Sequence, residues 1–249
     1  TSYGDRDIFI VKLNTSGDFL WAKGAGGNYE DEAYGVSCDG SGNTYITGYY
    51  WSNSVNFGSS SITSAGDVDA FLAKYNSDGT LGWAKTVGGD GDDRGTALVS
   101  DNDGNVFITG GYESASLNFG AATLTNSEEY KKYMYVAKYN TSGTNLWAKS
   151  AYSVGARTSG AGISLDQSGN CYIGGVFDGT TANFGTHTIT NNKPGGSNAF
   201  IAKYNSSGVD QWASNAVSGP EGNQTYCITT DNAGNSFVSG WFTSPNVTF

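Results

Sequence analysis

The chain has 249 residues and 26.0 kDa, with 37 glycines, 14% aromatic residues, only 14% charged residues and a formal charge of −10. Glycine is about double its usual ~7% share, while the aromatic content excludes a disordered tail and the acidity disfavours a nucleic-acid partner. Apolar runs are only a handful of residues long, so no membrane-spanning helix is expected. What remains is the composition of an all-β protein with many turns.

In chain order, one unit recurs. Trp21, Trp83, Trp147 and Trp212 stand about 64 residues apart, the first three inside Trp-Ala-Lys. Nine residues before each lies a lysine (Lys12, Lys74, Lys138, Lys203), followed by Leu or Tyr and then Asn. Gly-Asn pairs recur at 42–43, 104–105, 169–170 and 234–235, and a phenylalanine at Phe57, Phe119, Phe184 and Phe249. A fixed period of this kind decides the fold. The whole chain, residues 1–249, is one array, with copies at approximately 5–66, 67–131, 132–196 and 197–249.

Each copy carries four strand patterns, which in the second are 96–101, 106–112, 134–139 and 145–151. Asp-x-x-Gly-Asn joins the first pair and Asn-x-x-Gly the second, both fitting type I turns with a glycine at positive φ. No window sustains a helical apolar period. Four antiparallel strands per copy describe a β-propeller blade. The length beyond a 40–45-residue blade lies in a segment such as 55–63, expected to form an added hairpin whose aromatic covers the blade edge. The chain is expected to be an arc of a larger ring, with a closed four-bladed ring as the alternative; pairing of strand 8–13 with strand 236–242 would mark closure. Each repeated Trp is expected in the outermost strand, packed on an adjacent blade or the added hairpin.

Candidate chemistry is sparse. His187 is a single histidine on a Thr-rich hairpin and reads as a surface residue. Cys38, Cys171 and Cys227 fall at unrelated repeat positions and read as small buried residues rather than a disulfide or zinc set. The acidic loops around Glu30 and Asp31, and around Asp92 and Asp93, are the candidates for a Ca²⁺ contribution; no other cofactor is expected. A polysaccharide lyase or glycosidase using these carboxylates is the least favoured function. Tyr50, Tyr112, Phe177 and Phe242 read as core, whereas their neighbours Tyr49, Trp51 and Trp241 are candidates for stacking on a sugar or anchoring a protein partner.

The words Asp67-x-Asp69-Ala70-Phe71, Lys74-Tyr75-Asn76, Trp83-Ala84-Lys85, 88–95 and 101–110 resemble the SBBP repeats, named for a seven-bladed β-propeller, in a long form similar to large secreted surface proteins of Bacteroidetes-like bacteria. The resemblance covers the whole chain. It implies a non-catalytic interaction, display or adhesion module at the bacterial cell surface, exported by type IX secretion. Thr1 and the lone Met134 suggest a mature piece or fragment of a larger polypeptide. A protein or a neutral glycan is the expected partner, since a charge of −10 repels anionic ones; a lectin-like propeller is the alternative function.

Overall fold

A computed structural model describes residues 3–128, 130–191, 196–217, 219, 221–243 and 245–248; Phe249, the fourth repeated phenylalanine, lies outside them. Among the described residues none is helical. The chain opens with a two-stranded sheet, β1 (Ile8–Leu13) and β2 (Phe19–Ala25). The first full blade follows, with β3 (Asp31–Cys38), β4 (Thr44–Tyr50), β7 (Asp69–Tyr75) and β8 (Leu81–Val87) paired in that order. Between its second and third strands sits the expected hairpin, β5 (Ser54–Asn56) and β6 (Ser61–Thr63).

The second blade repeats this with β9 (Asp93–Ser100), β10 (Val106–Tyr112), β13 (Tyr133–Tyr139) and β14 (Asn145–Ala151), and a hairpin of β11 (Ser116–Asn118) and β12 (Thr123–Thr125). In the third, β15 (Thr158–Leu165), β16 (Cys171–Phe177), β19 (Asn198–Tyr204) and β20 (Asp210–Val217) flank the hairpin β17 (Thr181–Phe184) and β18 (His187–Thr190). The last pair, β21 (Asn223–Thr230) and β22 (Ser236–Phe242), stands alone. β1 and β22 belong to separate two-stranded sheets. The structure is therefore an open propeller arc of three full blades between two half-blades.

The middle strands are buried on both faces because each sheet is sandwiched between neighbours; every residue of β4 except Thr44, and all of β7, β10 and β16, is buried. The core forms three layers between successive sheets: Ile8 and Ile10 against Ile46 and Phe71, Tyr45 and Leu72 against Ile108 and Tyr135, and Phe107 and Val136 against Ile173 and Phe200. The hairpin aromatics Phe57, Phe119 and Phe184 pack on the third-strand rings Phe71, Tyr135 and Phe200 at 5.5, 5.4 and 4.8 Å.

The repeated tryptophan works between blades. Trp21, Trp83 and Trp147, each on an outermost strand, donate the indole N–H to Ser77, Thr141 and Ser206 carbonyls at 3.2, 3.1 and 3.1 Å, in the Asn-x-x-Gly turn of the next blade. The same carbonyls accept from Lys12, Lys74 and Lys138. The rings lie on Gly79, Gly143 and Gly208, where φ is 81°, 78° and 79° and an added Cβ would stand within 2.9 Å of the indole. Only glycine satisfies both the turn and the overlying ring.

Two expectations are corrected here. Cys38 and Cys227 are exposed and only Cys171 is buried: Cys38 ends the inner strand beside the N-terminal half-blade, Cys227 lies on the inner strand of the C-terminal half-blade, and Cys171 opens a middle strand. Tyr50, Tyr112 and Phe177 are core as expected, but Phe242 is 53% exposed because its blade lacks its outer two strands.

Candidate functional site

The innermost strands β3, β9, β15 and β21 each carry a β-bulge at one repeat position, leaving Tyr34, Thr96, Ala161 and Tyr226 as the extra residues. A bulge bends its strand and re-aims a side chain. The bend drives the strand onto its neighbour, where Gly48, Gly110, Gly175 and Gly240 lie against the carbonyls of Glu32, Arg94, Ser159 and Gln224 and a Cβ would collide. The glycine of the repeated strand motif is thus the sequence trace of the bulge. The four extra residues line a concave groove of about 1320 Å³ along the inside of the arc. Tyr34 and Tyr226 are 56% and 55% exposed there, and nothing in their spacing marked them as site residues in the sequence.

Several charged side chains in and beside the groove are paired with one another. Arg94 makes a bidentate pair with Asp92 at 2.7 and 3.0 Å and stacks its guanidinium 4.2 Å from the centre of Tyr49. Lys132 lies 3.2 Å from Glu113, and Arg157 reaches Asp178 at 3.0 and 3.3 Å. Tyr34 donates to Glu32 at 2.6 Å, and this bond, followed by that from Arg6, holds Glu32 below the usual carboxylate range.

Of the sequence-stated site residues, Tyr49 is buried in the wall, its ring 5.7 Å from Tyr34. Trp51 is exposed beside Tyr29, and Trp241 lies on β22 near Gly222; neither lines the groove, so the three aromatics do not converge. Asp31 and Asp93 open the inner strands and point inward, fully buried. Asp31 accepts from the Gly27 N–H at 2.7 Å and the Ser52 hydroxyl at 2.9 Å, while Asp93 accepts from Gly89, Glu113 and Ser114 N–H and from the Ser114 hydroxyl at 2.6 Å. Burial pushes both carboxyls up, Asp93 to about 6. Their lone pairs tie the loop entering the blade to the loop leaving its second strand. Glu30 faces Arg6 at 3.8 Å. Among the described residues no three His, Cys, Asp or Glu side chains gather where they would hold a metal. The Asp-x-x-Gly-Asn turns likewise close on themselves, Asp101 accepting from the N–H groups of Asp103 and Asn105 and from the Asn105 amide. His187 sits 2.7 Å from Asp210, which also accepts from Thr186. One imidazole nitrogen serves that carboxylate, and the hydroxyl beside it bonds the same carboxylate rather than awaiting a base, so the group lacks the relay of a nucleophilic triad.

No family model matches the chain. The chain is similar to the "Uncharacterized WD repeat-containing protein L264" of Acanthamoeba polyphaga mimivirus, at 27% identity over 185 residues. That alignment covers 65% of this chain and 13% of the relative. The WD-type blade is 40–45 residues long, and the added hairpins account for the greater length here. The relative and the four-stranded sheets together fit a β-propeller repeat array.

Proposed function

We propose that this propeller arc is a non-catalytic interaction module whose concave groove receives the partner. The observation that carries the reading is the row of bulges, which delivers one variable side chain per inner strand into the groove while the turns and blade contacts stay constant. The SBBP-like repeats support a finer reading, in which the module belongs to an exported protein of the bacterial surface, passes through type IX secretion and serves adhesion or display as one part of a larger polypeptide. A lectin-like use, with a neutral glycan as partner, is favoured by one specific feature: Lys132 and Arg157 in the groove are already paired with Glu113 and Asp178, beside the exposed phenol rings of Tyr34, Tyr130 and Tyr226.

The test combines localisation with binding. Surface labelling of intact cells finds the protein outside, and its deletion alters attachment without loss of a hydrolytic activity. On a glycan array or with a captured surface protein, Tyr34→Ala with Tyr226→Ala abolishes binding while leaving the melting temperature in place, since both rings are exposed. A cytoplasmic location, or Asp92-dependent turnover of a polysaccharide, refutes the proposal.

A further inference from the structure

We propose a second binding site, a polar notch between the second and third full blades that holds adjacent hydroxyl groups of a saccharide. It lies at the Asp-x-x-Gly-Asn turns, and its lining residues fall between Val99 and Ser206. None of them is shared with the groove, so the site goes beyond the interaction reading and does not rest on it.

The three full blades differ there by one hydroxyl. In each, the third-strand lysine lies over a second-strand ring, Lys74 over Tyr45, Lys138 over Phe107 and Lys203 over Tyr172. The Tyr45 hydroxyl donates to Asp39 Oδ2 at 3.1 Å and lies 3.0 Å from the Gly104 carbonyl of the next blade. Tyr172 donates in the same way to Asp166 Oδ2 at 3.1 Å. Phe107 has no hydroxyl to give, so among the described residues Asp101 Oδ2 accepts only from the Asn105 amide, at 2.8 Å.

The lysine of the second blade is underbonded at the same place. Lys74 donates to the Thr141 hydroxyl at 2.8 Å and to its carbonyl at 3.1 Å, and Lys203 lies 3.6 Å from Asp166 Oδ2. Lys138 reaches only the Ser206 carbonyl, at 3.4 Å, where the Trp147 indole already donates at 3.1 Å. A bond of that length is weak. The half-buried ammonium therefore keeps donors to spare.

Without the bridging hydroxyl the two turns stand apart. A Cβ on Gly104 would lie 3.0 Å from Asp39 Oδ2, and one on Gly234 would lie 4.0 Å from Asp166 Oδ2. At Gly169, the matching turn of the third blade, only Ser206 comes within 4 Å and Asp101 does not. The gap is a cavity of about 670 Å³, to which Ser100 and Ser164 also contribute. That lies within the ~300–1,000 Å³ of small-molecule pockets.

The lining selects the occupant. A metal ion or an amine would suit Asp101, Asp103 and Asp166 but meet the Lys138 ammonium in the same cavity. A carboxylate or phosphate would suit Lys138 and be repelled by the three carboxylates. A neutral hydroxyl both donates and accepts, and it is a hydroxyl that occupies this place in the blades on either side. Two adjacent hydroxyls, one donating to Asp101 Oδ2 and the other accepting from Lys138, satisfy both open groups at once. A sugar ring carries such pairs.

The test titrates the 249-residue chain with the methyl glycosides of glucose, galactose and mannose and follows backbone amides by NMR. At least one of these sugars shifts Asn102, Asp103, Gln167 and Ser168 to saturation. Phe107→Tyr places the hydroxyl of the neighbouring blades in the cavity, and it weakens that binding about tenfold, the worth of one hydrogen bond, without lowering the melting temperature. Lys138→Met, which keeps the stem over the ring and removes the ammonium, weakens it to a similar degree. Shifts confined to Thr96, Gly160 and Ala161 place the sugar in the groove, which overturns the notch and leaves the groove reading intact. No shift with any of the sugars, a response to Ca²⁺ or inorganic phosphate alone, or undiminished binding by the Phe107→Tyr chain also overturns the proposal.

Discussion

Truncating Trp83 isolates the clasp that joins successive blades. The indole donates to the Thr141 carbonyl at 3.1 Å, lies on Gly143 and faces the Tyr45 ring at 6.2 Å, while its outer face stays in water. Roughly half of an indole's ~200 Å² is therefore withdrawn from solvent. At ~25 cal/mol per Å² that burial contributes about 2.5 kcal/mol, and the hydrogen bond contributes about 1 kcal/mol. Trp83→Ala should thus cost about 3.5 kcal/mol, or about 7–14 °C in melting temperature for a chain of this length. Trp212→Ala is the internal control. In the single arc this ring is 38% exposed and meets Tyr172 edge-on at 6.0 Å, with no turn carbonyl among the described residues accepting from its indole, so the same truncation should cost about 1 kcal/mol less, the worth of the missing hydrogen bond. Melting followed by circular dichroism, at dilution, reads both. Equal shifts for the two variants, or a shift under 2 °C for Trp83→Ala, would refute the interblade assignment.

Further outcomes follow from the buried carboxylates. Asp93 has its folded pKa raised to about 6, above the ordinary 3.8, so its protonated form favours the fold and that contribution is lost as pH rises through about 6; an NMR titration of its carboxyl carbon checks this, and a midpoint near 4 would contradict it. Asp210 is the opposite case, held at about 2, where the bonds from Thr186 and His187 outweigh burial; its stabilisation is present above 3.8 and disappears as pH falls towards 2. Asp210→Asn should therefore remove part of the acid-side loss in a denaturation series run between pH 2 and 5. Chelation by EDTA should leave the melting curve unmoved, because Asp31 and Asp93 are engaged by N–H and hydroxyl donors; a fall that Ca²⁺ reverses would restore a metal to the acidic loops.

The blade was legible in the sequence because its cues are local. Asn-x-x-Gly and Asp-x-x-Gly-Asn specify their turns through short-range bonds, as Gly104 N–H to the Asp101 carbonyl shows at 3.2 Å, and strand alternation does the rest. The period of the tryptophans marked them as outer-strand packing residues, on an adjacent blade or on the added hairpin, and the bonds of Trp21, Trp83 and Trp147 to the next blade's turn decide for the former. The groove was not legible, because a bulge is set by a two-to-one mismatch between paired strands, and Tyr34 carries no local mark of that mismatch. Asp92 and Asp93 were grouped in one acidic loop for a related reason: they are adjacent in sequence, yet strand alternation sends one side chain to Arg94 and the other to Ser114 inside.

That alternation also explains how one repeat separates stability from recognition. Residues facing neighbouring sheets, such as Leu72 and Ile108, are fixed by packing on both sides, so a change of one methylene is felt there. Bulge residues are freer: Tyr34 and Tyr226 are more than half exposed, and Thr96 meets the next blade only through its hydroxyl, which donates to the Gly160 carbonyl at 2.8 Å. Tyr34, Thr96, Ala161 and Tyr226 differ in size and chemistry at one position of one scaffold, and the strand pairing on either side of each stays in register. The cost of the bulge is met by the glycine across from it, which is why Gly48, Gly110, Gly175 and Gly240 are held constant while the residue they make room for is free to vary.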